Sequence, residues 1–362
     1  MTRTLTRTPV TREPAPSPTT RLVLRNRLVA WRLEARVAVF ALVATLVGAG
    51  LAVVALTIGD YGLAPSQVLR ALAGDGSDPL AEFFVREQRA PRVVCALLVG
   101  AALGVSGAII QQVSDNPLGS PDIVGFTIGA ATGALIQITL LGGGPDATAP
   151  AALVGGLVTA AVVGALAWQG GRHGGVPGVR LVLVGIGVAA VLQAVNTLLV
   201  VRADLSAAQD AAHWLAGSFN AMTWQDVARL GLVLAVVAPF TAALARTLPV
   251  LALGDDAARG VGVRVEPSRL GLVVCGVVLV AAATAVAGPI AFIALAAPQL
   301  ARRITRTAGS GLASAALMGA ALTLASDIVA QRLFAPTQLP VGVVSGSLGG
   351  LYLIWLLTRE KR

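Results

Sequence analysis

Lysine is all but missing from this chain of 362 residues, where Lys361 is the single copy. A GxxxxGK[ST] phosphate loop needs its lysine at the start of a helix, and Lys361 comes after the last apolar run, so the chain does not hydrolyse ATP by that route. Cysteine and histidine are nearly as scarce, with two of each. Cys95 and Cys275 sit inside apolar runs and read as small buried residues with no disulfide between them. His173 and His213 lie alone in different polar segments, and no Cys/His/carboxylate cluster has metal-ligand spacing, which argues against a metal site. No Ser/His/Asp or Cys/His arrangement has a local signature, and paired carboxylates occur only as Asp255 and Asp256. A membrane-embedded enzyme, which needs titratable residues clustered at one leaflet, is not supported.

What is abundant is apolar sequence. Hydrophobic residues make up 56% of the chain, charged residues 12%, and the mean hydropathy is +0.79. That composition belongs to an integral membrane protein. A bilayer span needs about 20 apolar residues, and runs of that kind cover residues 35–58, 91–113, 121–141, 147–168, 179–201, 226–248, 268–287, 288–302, 311–332 and 340–358. The expected fold is therefore all-α and polytopic, with about ten transmembrane helices in one bundle and short cytoplasmic coupling helices. Pro289 and Pro298 mark the eighth run as tilted or broken. Residues 97–108, 125–134 and 317–326 place Gly, Ala, Ser and Thr at three- and four-residue intervals, so these helices are expected to pack backbone to backbone.

The 27 Lys and Arg residues outnumber the 18 acids, but they do not form the stripe of a nucleic-acid surface, and no nucleic-acid partner is expected. They fall in the short segments between apolar runs. With the N-terminus in the cytoplasm, 20 lie inside and 7 outside, which places both termini in the cytoplasm. The domain reading is a basic, largely disordered cytoplasmic segment over 1–34, a transmembrane domain over 35–358 and a cytoplasmic tail over 359–362. The apolar run after residue 34 is taken as a retained span, because no small-residue cleavage site follows it. Two long outer segments, 59–90 and 202–225, carry apolar residues at helical spacing and are expected to form short helices, with Trp214 and Trp224 at the headgroup level. Ionisable groups hardly enter the spans. Asp327 falls in the outer third of the ninth and Asp115 at the inner end of the second, leaving the midplane bare and weakening a secondary, ion-coupled transporter reading.

One polar island, residues 253–267 within the loop 249–267, stands between long apolar runs. Gly254 precedes Asp255 and Asp256, which suit a helix start; Ala257 and Ala258 favour helix, Arg259 follows, and Gly260, Val261, Gly262 and Val263 end it. A helix of two turns is marginal in water and needs a partner surface. The expected partner is another polypeptide.

Five co-linear segments now carry a resemblance. Residues 89–130 (RAPRVVCALLVGAALGVSGAIIQQVSDNPLGSPDIVGFTIGA), 213–224 (HWLAGSFNAMTW), 251–263 (LALGDDAARGVGV), 287–303 (AGPIAFIALAAPQLARR) and 326–350 (SDIVAQRLFAPTQLPVGVVSGSLGG) resemble the FecCD-type permeases, the membrane subunits of type II ABC importers for iron-siderophores, haem and cobalamin. The resemblance runs from about residue 33 to the C-terminus. It implies a multi-pass protein of the bacterial cytoplasmic membrane that pairs with a second permease, two copies of an ABC ATPase and an extracytoplasmic binding protein. The chain itself would hold no cofactor; ATP and Mg would bind the ATPase, and iron would pass only as chelated cargo. Ferric siderophore is the expected cargo, with cobalamin and haem as alternatives.

The resemblance also implies residue roles. Residues 254–263 match the helix that sits in a groove of the ATPase. Arg89 and Arg92 match arginines that meet glutamates of the binding protein, and Arg332 lies one position from a third. The fifth and tenth helices would line the path, with Gln193, Asn196, Ser345 and Ser347 as polar candidates. Many relatives have Pro-His where this chain has Pro298-Gln299, and Gly-Asp-His where it has TRTAGSG. The glutamine is common among members of heteromeric pairs, so a heterodimer with a paralogue is favoured over a homodimer.

Overall fold

The computed structural model describes residues 21–26, 29–59, 61–75, 78–170, 178–306 and 311–359. Strands β1 (Arg21–Asn26) and β2 (Val29–Glu34) pair antiparallel, with Leu22 opposite Leu33 and Leu24 opposite Trp31. This departs from the expectation of a largely disordered 1–34 segment, of which residues 1–20 lie outside the described residues. The reason is visible in Val29, Trp31 and Leu33, which alternate with Ala30, Arg32 and Glu34 in the period of a strand.

Helices follow in the expected order. Helix α1 (Ala35–Thr57) leads through short α2 (Pro65–Ala73) and α3 (Pro79–Phe83), then a π-helical turn (Phe84–Arg89), into α4 (Ala90–Val113). Next come α5 (Phe126–Thr139), α6 (Pro145–Ala167), α7 (Gly178–Arg202), α8 (Leu205–Leu215) and α9 (Trp224–Ala245). Two short helices, α10 (Leu248–Leu251) and α11 (Asp255–Gly260), precede α12 (Val265–Ala287), α13 (Ile293–Thr305), α14 (Leu312–Arg332) and α15 (Val341–Arg359). We call the end of the bundle bearing α10 and α11 proximal and the other distal.

Among the described residues, seven helices are long and apolar enough to cross a membrane: α1, α4, α6, α7, α9, α12 and α14. Each of the ten apolar runs is helical, but the count of ten spans is not reached by length. Helix α5 has 14 residues and α13 has 13, a rise of roughly 20 Å against a hydrocarbon core of about 30 Å. Both start late for a backbone reason. Gly125 (φ 87°) ends a turn before α5, while Gly288 (φ 69°) and Phe292 (φ 68°) bracket the non-helical lead-in to α13. Apolar residues dominate both lead-ins, so hydropathy alone runs the helix through them.

Helix α4 is the buried centre, packed against α9, α12, α13 and α14. A Cβ on Gly100 would lie 2.3 Å from the Gly319 carbonyl oxygen, and one on Gly104 would lie 2.1 Å from that of Ala315. Helices α5 and α6 meet the same way at Gly133, whose Cβ would stand 2.1 Å from the Ala151 oxygen. The small-residue stripes are contact surfaces, as expected.

Short helices do form in the two long distal segments. In α8 the Asp204 carboxylate accepts the Ala207 N–H at 2.8 Å, and that bond holds its carboxyl below the usual range. The two tryptophans differ. Trp224 is half-exposed and donates its indole N–H to the Arg86 carbonyl, whereas Trp214 packs partly buried against Ala130, Ala134 and Ala152 and is no free interfacial anchor.

Candidate functional site

The proximal loop is built by two glycines. Gly254 (φ 98°) turns the chain into α11, and Gly262 (φ 85°) turns it out towards α12. Asp255 and Asp256 occupy the first turn and Arg259 the last, which suits the helix dipole, but neither aspartate caps the N-terminus by a side-chain hydrogen bond. Asp255 instead accepts from Arg269 Nη2 at 2.9 Å, tying α11 to α12. Arg259 reaches Asp256 at 3.2 Å and stands 3.8 Å from both Asp255 and Glu266.

Only Ala258 of α11 is buried. Leu253 is 73% exposed and Val261 71%, and a Cβ added at Gly254 or Gly260 would meet nothing within 4 Å. A six-residue helix with two large apolar side chains uncovered beside it is marginal in water by itself.

A second proximal feature was missed in the sequence. Gln111 is buried near the end of α4, donates to the Leu295 carbonyl at 3.0 Å, and accepts from Gln299 at 2.9 Å and from Arg302. Gln299 also donates to the Pro117 carbonyl at 2.8 Å. Gln299, noted only as a departure, thus joins α13 to α4 and to the turn at 114–121. The available signal was the Gln111–Gln112 pair in a largely apolar helix, since a buried glutamine must find partners.

At the distal end the arginines are committed within the chain. Arg89 is buried (9% exposed) and donates to the carbonyls of Leu56, Thr57 and Tyr61, and a Cβ on Gly59 would collide with its guanidinium. Arg92 grips Asp327 with two bonds, Nε to Oδ2 at 3.0 Å and Nη2 to Oδ1 at 2.8 Å, and donates to Asn220 and Gln338. Gln331 adds a 2.8 Å bond to the same carboxylate. Arg332 donates to the Gly59 carbonyl at 3.0 Å and remains exposed. Within the chain, the Arg89 guanidinium holds the α1–α2 loop and that of Arg92 holds Asp327.

The four path candidates divide in the same way. Gln193 and Ser347 are exposed, and the Ser347 hydroxyl donates back to Val343 at 2.9 Å. Asn196 and Ser345 are buried, Ser345 donating to the Gly342 carbonyl at 3.2 Å while Asn196 Oδ1 has no protein partner. Asn196 and Ser345 therefore do not front an open surface. Around Gln193 and Ser347, Leu183, Val191, Leu198, Leu351 and Ile354 are exposed, so α7 and α15 present apolar faces.

A family model described as the FecCD transport family matches residues 44–359. The ferric enterobactin transport system permease protein FepG of Escherichia coli is 50% identical over 307 residues, covering 85% of this chain and 92% of FepG. The achromobactin transport system permease protein CbrC of Dickeya dadantii is 39% identical over 312 residues, covering 85% of this chain and 88% of CbrC. A solved metal-chelate type ABC transporter in an inward-facing conformation superposes with a TM-score of 0.77 at 26% identity, covering 89% of this chain and 99% of that one.

Proposed function

The chain belongs to the FecCD transport family, and from that premise we propose that it is the permease of an ATP-driven importer that moves a ferric siderophore across the bacterial cytoplasmic membrane by alternating access. The observation that carries this reading is the uncovered α11 loop, a marginal helix with one buried residue, fixed to the bundle by Asp255 and Arg269. Two copies of an ABC ATPase, which would bind ATP and Mg, are its partners. A second permease, favoured as a paralogue, completes the path between the exposed apolar faces of α7 and α15. Iron crosses only inside its chelate. The proximal end faces the cytoplasm, in keeping with its arginines.

Force applied to α11 has a physical route through the chain. It passes by the Asp255–Arg269 pair to α12, and α12 accepts the Ser106 hydroxyl of α4 on its Gly276 carbonyl at 2.6 Å. From α4, Gln111 continues to α13. An extracytoplasmic binding protein docks at the distal end. Arg89, Arg92 and Arg332 are its candidate contacts, and Arg332, the exposed one of the three, is the readiest to meet a partner carboxylate.

The test is uptake of ferric enterobactin into proteoliposomes holding permease, ATPase and binding protein. Arg269→Ala removes the strut, and because that pair is partly exposed it should cost only about 1 kcal/mol or less of stability. ATP-driven uptake should fall about tenfold while ATPase copies still co-purify. Undiminished uptake would remove the coupling role from α11, and uptake without nucleotide would replace the importer with an ion-coupled carrier.

A further inference from the structure

Between α1 and the flank made by α13 and α14 runs a groove of about 650 Å³. Val39, Val43, Val47, Ile304 and Met318 form its walls, and Arg36 and Arg306 are the charged residues among its lining. Among the described residues, no acidic side chain lines it. Both arginines are exposed, Arg36 at the first turn of α1 and Arg306 at the left-handed cap that ends α13 (φ 49°). The groove is thus an apolar channel with two cations at its proximal mouth.

Its dimensions match one leaflet. From Arg36 to Val47 the groove follows twelve residues of α1, about 16 Å of helix, which is half of a hydrocarbon core of about 30 Å. Water gains nothing from apolar walls at that depth, and α1 covers little of itself, with 6% of its apolar window buried in the bundle. Basic clusters beside transmembrane helices select anionic headgroups.

We propose that this groove is a binding site for an anionic phospholipid of the proximal leaflet, with one acyl chain between α1 and α14 and the headgroup phosphate on Arg36 and Arg306. The lipid completes the packing of α1, the helix that the protein itself covers least among its seven long spans. It also sits against α13, which carries Gln299 and Arg302. The proposal rests on the chain being a membrane permease but not on its cargo or coupling, so lipid counting and transport report separately.

Native mass spectrometry of the delipidated, assembled complex tests it, with phosphatidylglycerol and phosphatidylcholine of the same acyl chains as probes. The intact complex should retain phosphatidylglycerol with about tenfold preference over phosphatidylcholine. Arg36→Gln with Arg306→Gln should abolish the preference, weakening phosphatidylglycerol far more than zwitterionic phosphatidylcholine, and Ala44→Phe should exclude both lipids from the groove. The thermal midpoint checks that each variant is folded. Undiminished preference in the double arginine variant would overturn the proposal, as would displacement of the lipid by inorganic phosphate alone. A photo-crosslinker at Val43 that captures a second copy of this chain instead of lipid would assign the groove to a protein contact and also overturn it.

Discussion

Arg92→Ala should destabilise the protein by about 3–5 kcal/mol, because it strands a buried carboxylate. Asp327 has 1% of its side-chain surface exposed, and Arg92 15%, so solvent screens neither partner. The two parallel bonds satisfy both carboxylate oxygens, Gln331 adds a third, and the remaining Arg92 amine ties in Asn220 and Gln338. One guanidinium therefore holds α4, α14 and the loops before α9 and α15 together. Removing both charges should be far milder than removing one, since no unpaired ion remains. Thermal unfolding in detergent of Arg92→Ala, Asp327→Ala and the double variant provides the cycle. Recovery of more than half the loss in the double variant is expected; a double variant as unstable as Arg92→Ala would mean the residues act separately.

That pair also marks what the sequence could not disclose. The apolar runs located every long helix, because a bilayer demands uninterrupted apolar length and leaves a local trace of it. The loop at 249–267 was equally legible, since its helix signals and glycine stops lie within a few residues. Arg92 and Asp327 are 235 residues apart, and no local pattern pairs them. Each was read singly, Asp327 as a stray acid and Arg92, by resemblance, as a rim charge. Arg89 is alike, since its three carbonyl partners lie 28 to 33 residues away and no local pattern discloses them. Pro289 and Pro298 announced the break before α13, but the late start of α5 was hidden for another reason. Positive φ at Gly125 is a backbone property, and hydropathy does not register it.

Gly107→Val should have the largest effect of any single methyl-bearing substitution considered, a failure to assemble the bundle. A Cβ there would stand 1.7 Å from the carbonyl oxygen of Ala294. The obstacle is backbone, so no rotamer change relieves it, and α13 must move away from α4. Overpacking a close-packed interior costs about 1–3 kcal/mol when side chains can adjust, and here they cannot. The displacement would act where it matters most, because Gln111, one turn further along α4, must still reach the Leu295 carbonyl and Gln299. Gly48→Val and Gly50→Val on α1 are the matched controls, since a Cβ at either meets nothing within 4 Å. Those two should purify monodisperse with a thermal midpoint near that of the parent, while Gly107→Val is expected to aggregate or to be lost on extraction. Equal behaviour of all three would show that α4 and α13 are not held at backbone contact, and with that the half-length α13 would lose the neighbour that fixes its position.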